Sequence, residues 1–197
     1  IEFPDYEYTK CLLVWGANPP ATWPIKAMGM MGARSRGAPL IVVDPALSHT
    51  AAKADIWLQL RPGTDCALAL GFLNIIIDRG IYDAKFVEDW CIGFEELSKR
   101  VEQFTPEKVE AITWVPRELI VEAAILYATT RPACITQCVS IEQNADTLST
   151  CRSLAILAAI TGNIDVPGGN LFPMPKGVID RIGASWTKID LWNDEEK

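Results

Sequence analysis

Three short stretches of this chain place residue types suited to nucleotide chemistry just after apolar runs: "WGANPPATWP" at 15–24, "DPALSHT" at 44–50 and "RPGTD" at 61–65. Gly16 would let a ligand approach the backbone. A helix opening at Pro24 would turn free N–H groups and the positive end of its dipole toward a phosphate. Asp44 stands where an acidic residue accepts from ribose hydroxyls. Asp65 could accept from the N1–H and the 2-amino group of a guanine, two donors that a carboxylate matches side by side. Each residue also has a plainer use. Asp44-Pro45 can simply start a turn, and Thr64 or Asp65 can simply cap the helix that follows.

The elements that must position these residues follow from periodicity. "CLLVW" (11–15), "APLIVVD" (38–44), "DIWLQL" (55–60) and "ACITQC" (133–138) read as buried parallel strands. Helical patterns alternate with them. One runs from Pro24 to a stop at Gly37, one from Ala67 to Asp78, and a long one over 146–163 ends at Gly162; Pro106 and Pro116 suit two further starts. Strand–helix alternation predicts an α/β fold, a three-layer, mostly parallel sheet with Rossmann-like helices on both faces. Ligands of such sheets bind beyond the carboxyl ends of the strands, where the three loops gather.

Composition removes other classes. A net charge of −7 leaves no basic stripe for nucleic acid. The longest apolar run, Ala67–Ile77, is broken by Gly71 and Asn74 and falls short of a membrane span, so no direct membrane insertion is expected. The opening "IEFPDYEY" does not read as a signal peptide. The six cysteines form no CxxC pair, so no metal ligand is expected here, and Cys134 and Cys138 read as small core residues. His49 is the single histidine and cannot complete a nucleophile triad with Ser48 and Asp44 beside it. Neither GxGxxG nor GxxxxGK[ST] occurs.

The order and spacing of "WGANPPATWP", "IVVDPALSHTAAKADIWLQLRPGTDCALALG" and "SIEQNADTLSTCRSLAILAAITGNIDVPGGN" resemble the dimethyl sulfoxide reductase family of molybdopterin oxidoreductases, over residues 8–175. The resemblance implies that residues 1–175 are an inserted α/β domain. Such a domain holds one of two molybdopterin guanine dinucleotides around molybdenum or tungsten, and 176–197 would be a linker or cut edge. By similarity, Trp15, Gly16, Asn18, Pro19, Thr22 and Trp23 would lie along the pyrophosphate and pterin arm. Asp44, Pro45, Ser48 and His49 would border ribose and guanine, and Pro62, Gly63, Thr64 and Asp65 the guanine edge. Gln143 falls 18 residues before Thr161 of "ITGN", where the family places a glutamine near the pterin; its plainer use is a loop amide bonded to backbone.

The resemblance puts catalysis outside this stretch. The family's metal ligand and iron–sulfur cysteines lie upstream and a further cofactor-binding barrel downstream. The expected partners are therefore the remaining domains of the catalytic subunit, with room for an iron–sulfur electron-transfer subunit, and no catalytic residue is expected here. The full-length protein would be a redox enzyme moving oxygen atoms, hydride or electrons, while the isolated chain would be inactive and metal-free. The block "AITGNIDVPGGN" most resembles anaerobic members, some of which catalyse hydration, and implies the cytoplasm or periplasm of an anaerobic prokaryote. Val139, Ser140 and Asn144 depart from the family, which often has small residues there. Two rivals are a metal-free structural module, like the related domain of respiratory complex I, and a nucleotide-binding domain like the middle domain of thiamine diphosphate enzymes. The intact loops at Asp44 and Gly63–Asp65 weigh against the first, and the missing glycine fingerprint against the second.

Overall fold

The computed structural model describes residues 3–172; the stretch expected to be a linker, 176–197, lies outside them. In chain order the elements are β1 (Phe3–Pro4), β2 (Cys11–Trp15), α1 (Pro19–Thr22), α2 (Pro24–Ser35), β3 (Leu40–Val43), a 3-10 turn (Ala51–Lys53) and β4 (Ile56–Leu58). There follow α3 (Asp65–Asp78), α4 (Ala84–Trp90), α5 (Phe94–Val101), α6 (Pro106–Thr113), α7 (Arg117–Thr129), β5 (Ala133–Gln137), α8 (Val139–Glu142), α9 (Thr147–Ile160) and β6 (Asn170–Leu171).

The unbroken apolar runs form a four-stranded parallel sheet in the order β4-β3-β2-β5. Side chains alternate between its faces. Leu13, Trp15, Ile41, Val43 and Ile135 join the larger core with α3, α7 and α9, while Leu12, Val14, Leu40, Val42 and Cys134 join a smaller one with Met30 and Ala33 of α2. Helices thus flank both faces, as expected, but unequally. On its outer side α2 leaves Ile25, Met28 and Met31 exposed.

Local differences from the sequence reading have local causes. Helix α3 begins at Asp65, two residues before the expected Ala67, because a tight turn sets its start: Thr64 N–H donates to Arg61 O, with Pro62 and Gly63 between. Gly63 has φ +79°, so Pro and a positive-φ Gly occupy the two central positions of a type II turn. Helices α4 and α5 were not legible because each is short and no strand separates them. Asp83 caps α4 by accepting from Phe86 N–H, and α5 starts from left-handed Gly93. Helix α8 occupies what read as loop before Gln143.

The motif "TGNIDVPGGN" closes the open flank of β5. Asn170 accepts from Ile135 N–H and donates to Ile135 O, both at 2.8 Å, so its amide takes the place of a neighbouring strand. Asn163 accepts from Ala133 N–H at 2.9 Å and donates to Thr161 Oγ1 at 2.8 Å. Gly168 has φ +85°, and a Cβ there would come within 2.6 Å of Tyr8 O. Its glycines let the two asparagines reach the edge strand.

Candidate functional site

From β2 the chain proceeds outward to β3 and β4, then returns to lay β5 on the other side of β2. The strand order therefore reverses between β2 and β5, which end side by side with Trp15 in register with Gln137. This is the crevice that a doubly wound sheet offers a ligand.

The loop after β2 forms its floor. Gly16 has φ +58°, and no Cβ could fit there because Ser140 Oγ and Ile141 occupy the space. Ser140 Oγ donates to Gly16 O, tying together the loops after β2 and β5. On its Cβ side Gly16 is thus covered by Ser140 and Ile141, and there this glycine serves closure of the two loops. The next two backbone N–H groups, of Ala17 and Asn18, donate to nothing among the described residues. Asn18 Oδ1 accepts from Thr50 Oγ1 at 2.9 Å, which links this loop to the one after β3. Pro19 is buried and starts α1, Thr22 Oγ1 donates to Asn18 O, and Trp23 is exposed with the Lys26 ammonium 4.0 Å from its ring centre.

The loop after β3 holds itself in shape. Asp44 Oδ1 accepts from Ala46 N–H at 2.9 Å in an Asx turn, as its plainer use requires, and Oδ2 has no protein partner among the described residues. Pro45 and His49 are exposed, and Ser48 Oγ accepts from Ala51 N–H at 3.2 Å.

The loop after β4 delivers Asp65. Pro62 and Gly63 are exposed, and a Cβ on Gly63 would meet nothing within 4 Å, so the turn faces open space. Thr64 precedes α3 without capping it; its hydroxyl donates to Arg61 O at 2.6 Å. Asp65 is the first residue of α3 and only 8% exposed. Its Oδ1 accepts from the Trp15 indole N–H at 2.8 Å. Its Oδ2 has no partner among the described residues. Trp15, expected along the cofactor, is 0% exposed, so its side chain reaches the site only through Asp65.

Three helices that follow strands start at this edge, α2, α3 and α9, and no side chain caps any of them. Elsewhere α5 and α7 are likewise without a side-chain cap, whereas α4 and α6 are capped by Asp83 and Thr105. An uncapped N-terminus keeps its N–H groups and dipole available to an anion. Gln143 ends α8, exposed, and its amide bonds to no described residue. Ser140 stood out in the sequence only as a departure from the family, and Gln137, whose Oε1 is buried without a partner at the end of β5, was not singled out. The signal for Gln137 was present: a polar residue closing the apolar run "ACITQ".

Cysteine chemistry does not compete for this role. Cys11 and Cys134 are core residues whose thiols burial pushes up to about 12, which keeps them protonated and inert. Cys138 is partly buried against the smaller core. Among the described residues no three His, Cys, Asp or Glu gather as a metal site, and no helix is long and apolar enough to cross a membrane.

Residues 2–191 match the family model described as molybdopterin oxidoreductase. The chain is 40% identical over 182 residues to acetylene hydratase of Syntrophotalea acetylenica, covering 88% of this chain and 25% of that protein. It is 36% identical to the F420-dependent formate dehydrogenase subunit alpha of Methanocaldococcus jannaschii, covering 86% of this chain and 25% of that one. The solved structure of acetylene hydratase from Pelobacter acetylenicus superposes with a TM-score of 0.84 at 41% identity, over 88% of this chain and 24% of that chain. The chain thus spans about a quarter of the length of the relatives it matches.

Proposed function

The chain belongs to the molybdopterin oxidoreductase family, and on that premise we propose that residues 1–175 hold the nucleotide and pyrophosphate of one molybdopterin guanine dinucleotide within a longer molybdenum or tungsten enzyme. The observation that carries this reading is Asp65: a carboxylate at the strand edge with one oxygen engaged, the other unpartnered, and open space at Gly63 beside it.

The residues fit such a group in four places. Asp65, steered by the Arg61–Thr64 turn, would accept from the guanine N1–H and 2-amino group. Asp44 Oδ2 would accept from ribose hydroxyls while Oδ1 keeps the Asx turn. The unpaired N–H groups of Ala17 and Asn18, with the uncapped starts of α2 and α3, would receive the pyrophosphate. Gln143, exposed and unbonded, would face the pterin. When bound, the cofactor supplies redox chemistry at its metal, and the protein supplies position and access.

Catalytic residues, the metal ligand, an iron–sulfur cluster and the substrate funnel would then come from the other three-quarters of the enzyme. Residues 176–197 would lead toward those domains. The test is acid extraction of the full-length protein followed by nucleotide and metal analysis. We expect guanine nucleotide together with molybdenum or tungsten, and less guanine nucleotide per protein in Asp65→Ala. A full-length protein that releases no guanine nucleotide overturns the reading.

A further inference from the structure

Trp15 heads the fully buried side chains of the described residues by size. Its indole N–H crosses 50 positions of sequence to reach Asp65 Oδ1. The ring itself is fixed: it stands edge-on to Phe72 of α3, with centroids 5.8 Å apart and planes at 66°. Trp15 also closes β2, hydrogen-bonded between β3 and β5. We infer that Trp15 is the positioning residue that sets the plane of the Asp65 carboxylate for a base, an inference that rests on the reading of Asp65 as the guanine contact.

A carboxylate on a short side chain has one broad terminal torsion, and in solvent it samples many planes. Two donors on one edge of a base are met together only when both oxygens lie in the plane of that base. One hydrogen bond from a ring that cannot move selects the plane. It engages one lone pair of Oδ1, and the other lone pair of Oδ1, with Oδ2, remains for the base. Asp65 is also the first residue of α3, so its Cα is fixed by the helix and the turn before it. Backbone and head group are thereby both held, and Oδ2, without a partner among the described residues, is fixed in direction. Hydrophobic filling alone would not require the N–H, because phenylalanine packs edge-on to Phe72 as well.

The experiment measures GDP and ADP affinities of the cofactor-free full-length protein by calorimetry, for wild type, Trp15→Phe and Phe72→Leu. Wild type should prefer GDP roughly 5- to 150-fold, the range of a bidentate base contact. Trp15→Phe should shrink that ratio about fivefold or more, the weight of one hydrogen bond of ordinary net strength. Phe72→Leu, which keeps the N–H, should retain the ratio. If Trp15→Phe does not fold, the benzothiophene analogue of tryptophan at position 15 keeps the shape, replaces N–H by sulfur and should shrink the ratio likewise. A wild type without guanine preference overturns the reading of Asp65 and this inference with it. A wild-type preference that survives in full in the donor-free variant overturns the inference alone. So does a fall of both affinities together at constant ratio, or an equal loss of ratio in Phe72→Leu, because either outcome is the mark of packing.

Discussion

Two loop regions of this molecule are both rich in Gly, Asn and Pro, and the structure uses them in opposite ways. At the flank of β5, Asn163 and Asn170 meet backbone groups of Ala133 and Ile135 at 2.8–2.9 Å, and both asparagines are buried. At the carboxyl edge, the N–H groups of Ala17 and Asn18 and one oxygen each of Asp44 and Asp65 find no protein partner among the described residues. Buried polar groups are almost always paired, so the first region is finished by its own chain. The second is completed by water or by a ligand. Composition does not distinguish the two regions; the pairing of their polar groups does.

The comparison breaks most readily at Asn170. Asn170→Ala strips partners from the N–H and C=O of Ile135, each costing about 1–3 kcal/mol, so urea unfolding should show a loss of about 2–5 kcal/mol. Base preference in the full-length protein should not change. Glycines sharpen the contrast. Gly168→Ala meets a left-handed backbone and the Tyr8 carbonyl at 2.6 Å, and should cost about 2–4 kcal/mol. Gly63→Ala shares the backbone penalty but meets open space, so about 1–2 kcal/mol is expected. A larger loss at Gly63 than at Gly168 would reverse the assignment of the two regions.

The smallest effect expected is at Asp55, on the opposite edge of the sheet. Burial alone would raise its pKa, but the Leu40 N–H at 2.7 Å and the Arg34 guanidinium outweigh that and hold the carboxyl below its usual range. A depressed acid stabilises the fold above its unfolded pKa of about 3.9, and the contribution fades as pH falls through the lower folded value. The pair is partly exposed and screened, so Asp55→Asn should cost less than about 1 kcal/mol at pH 7. Urea midpoints of wild type and variant should converge only once the pH falls below the folded pKa of Asp55, which lies under the unfolded value of about 3.9.

The strands and the long helices α2, α3 and α9 were legible because their apolar residues repeat with a period that one face of a sheet or helix must bury. The three loops were legible as neighbours because alternation of strand and helix sends them to one edge. What could not be read is which polar atoms each loop would spend on itself. Ser48 turns to Ala51 within its own loop, while Asn18 turns to Thr50 and Ser140 fills the space beside Gly16; the last two pairings depend on the meeting of separate loops. Trp15 and Asp65 lie 50 residues apart and meet only because parallel register brings the end of β2 beside the start of α3. The resemblance placed Trp15 among the ligand contacts, whereas burial places it behind Asp65.

The most direct test of the central claim, that Asp65 reads guanine, is the substitution Asp65→Asn in the full-length protein. The Trp15 N–H would hold the new amide's oxygen at the place of Oδ1, so the fold should persist and the amide NH2 would face the base. Guanine presents two donors there, and donor would meet donor. The GDP-to-ADP affinity ratio should therefore fall by about 5-fold or more, the lower end of a bidentate contact. An unchanged ratio with unchanged cofactor loading would contradict the account and leave Asp65 as no more than the acceptor for a buried indole.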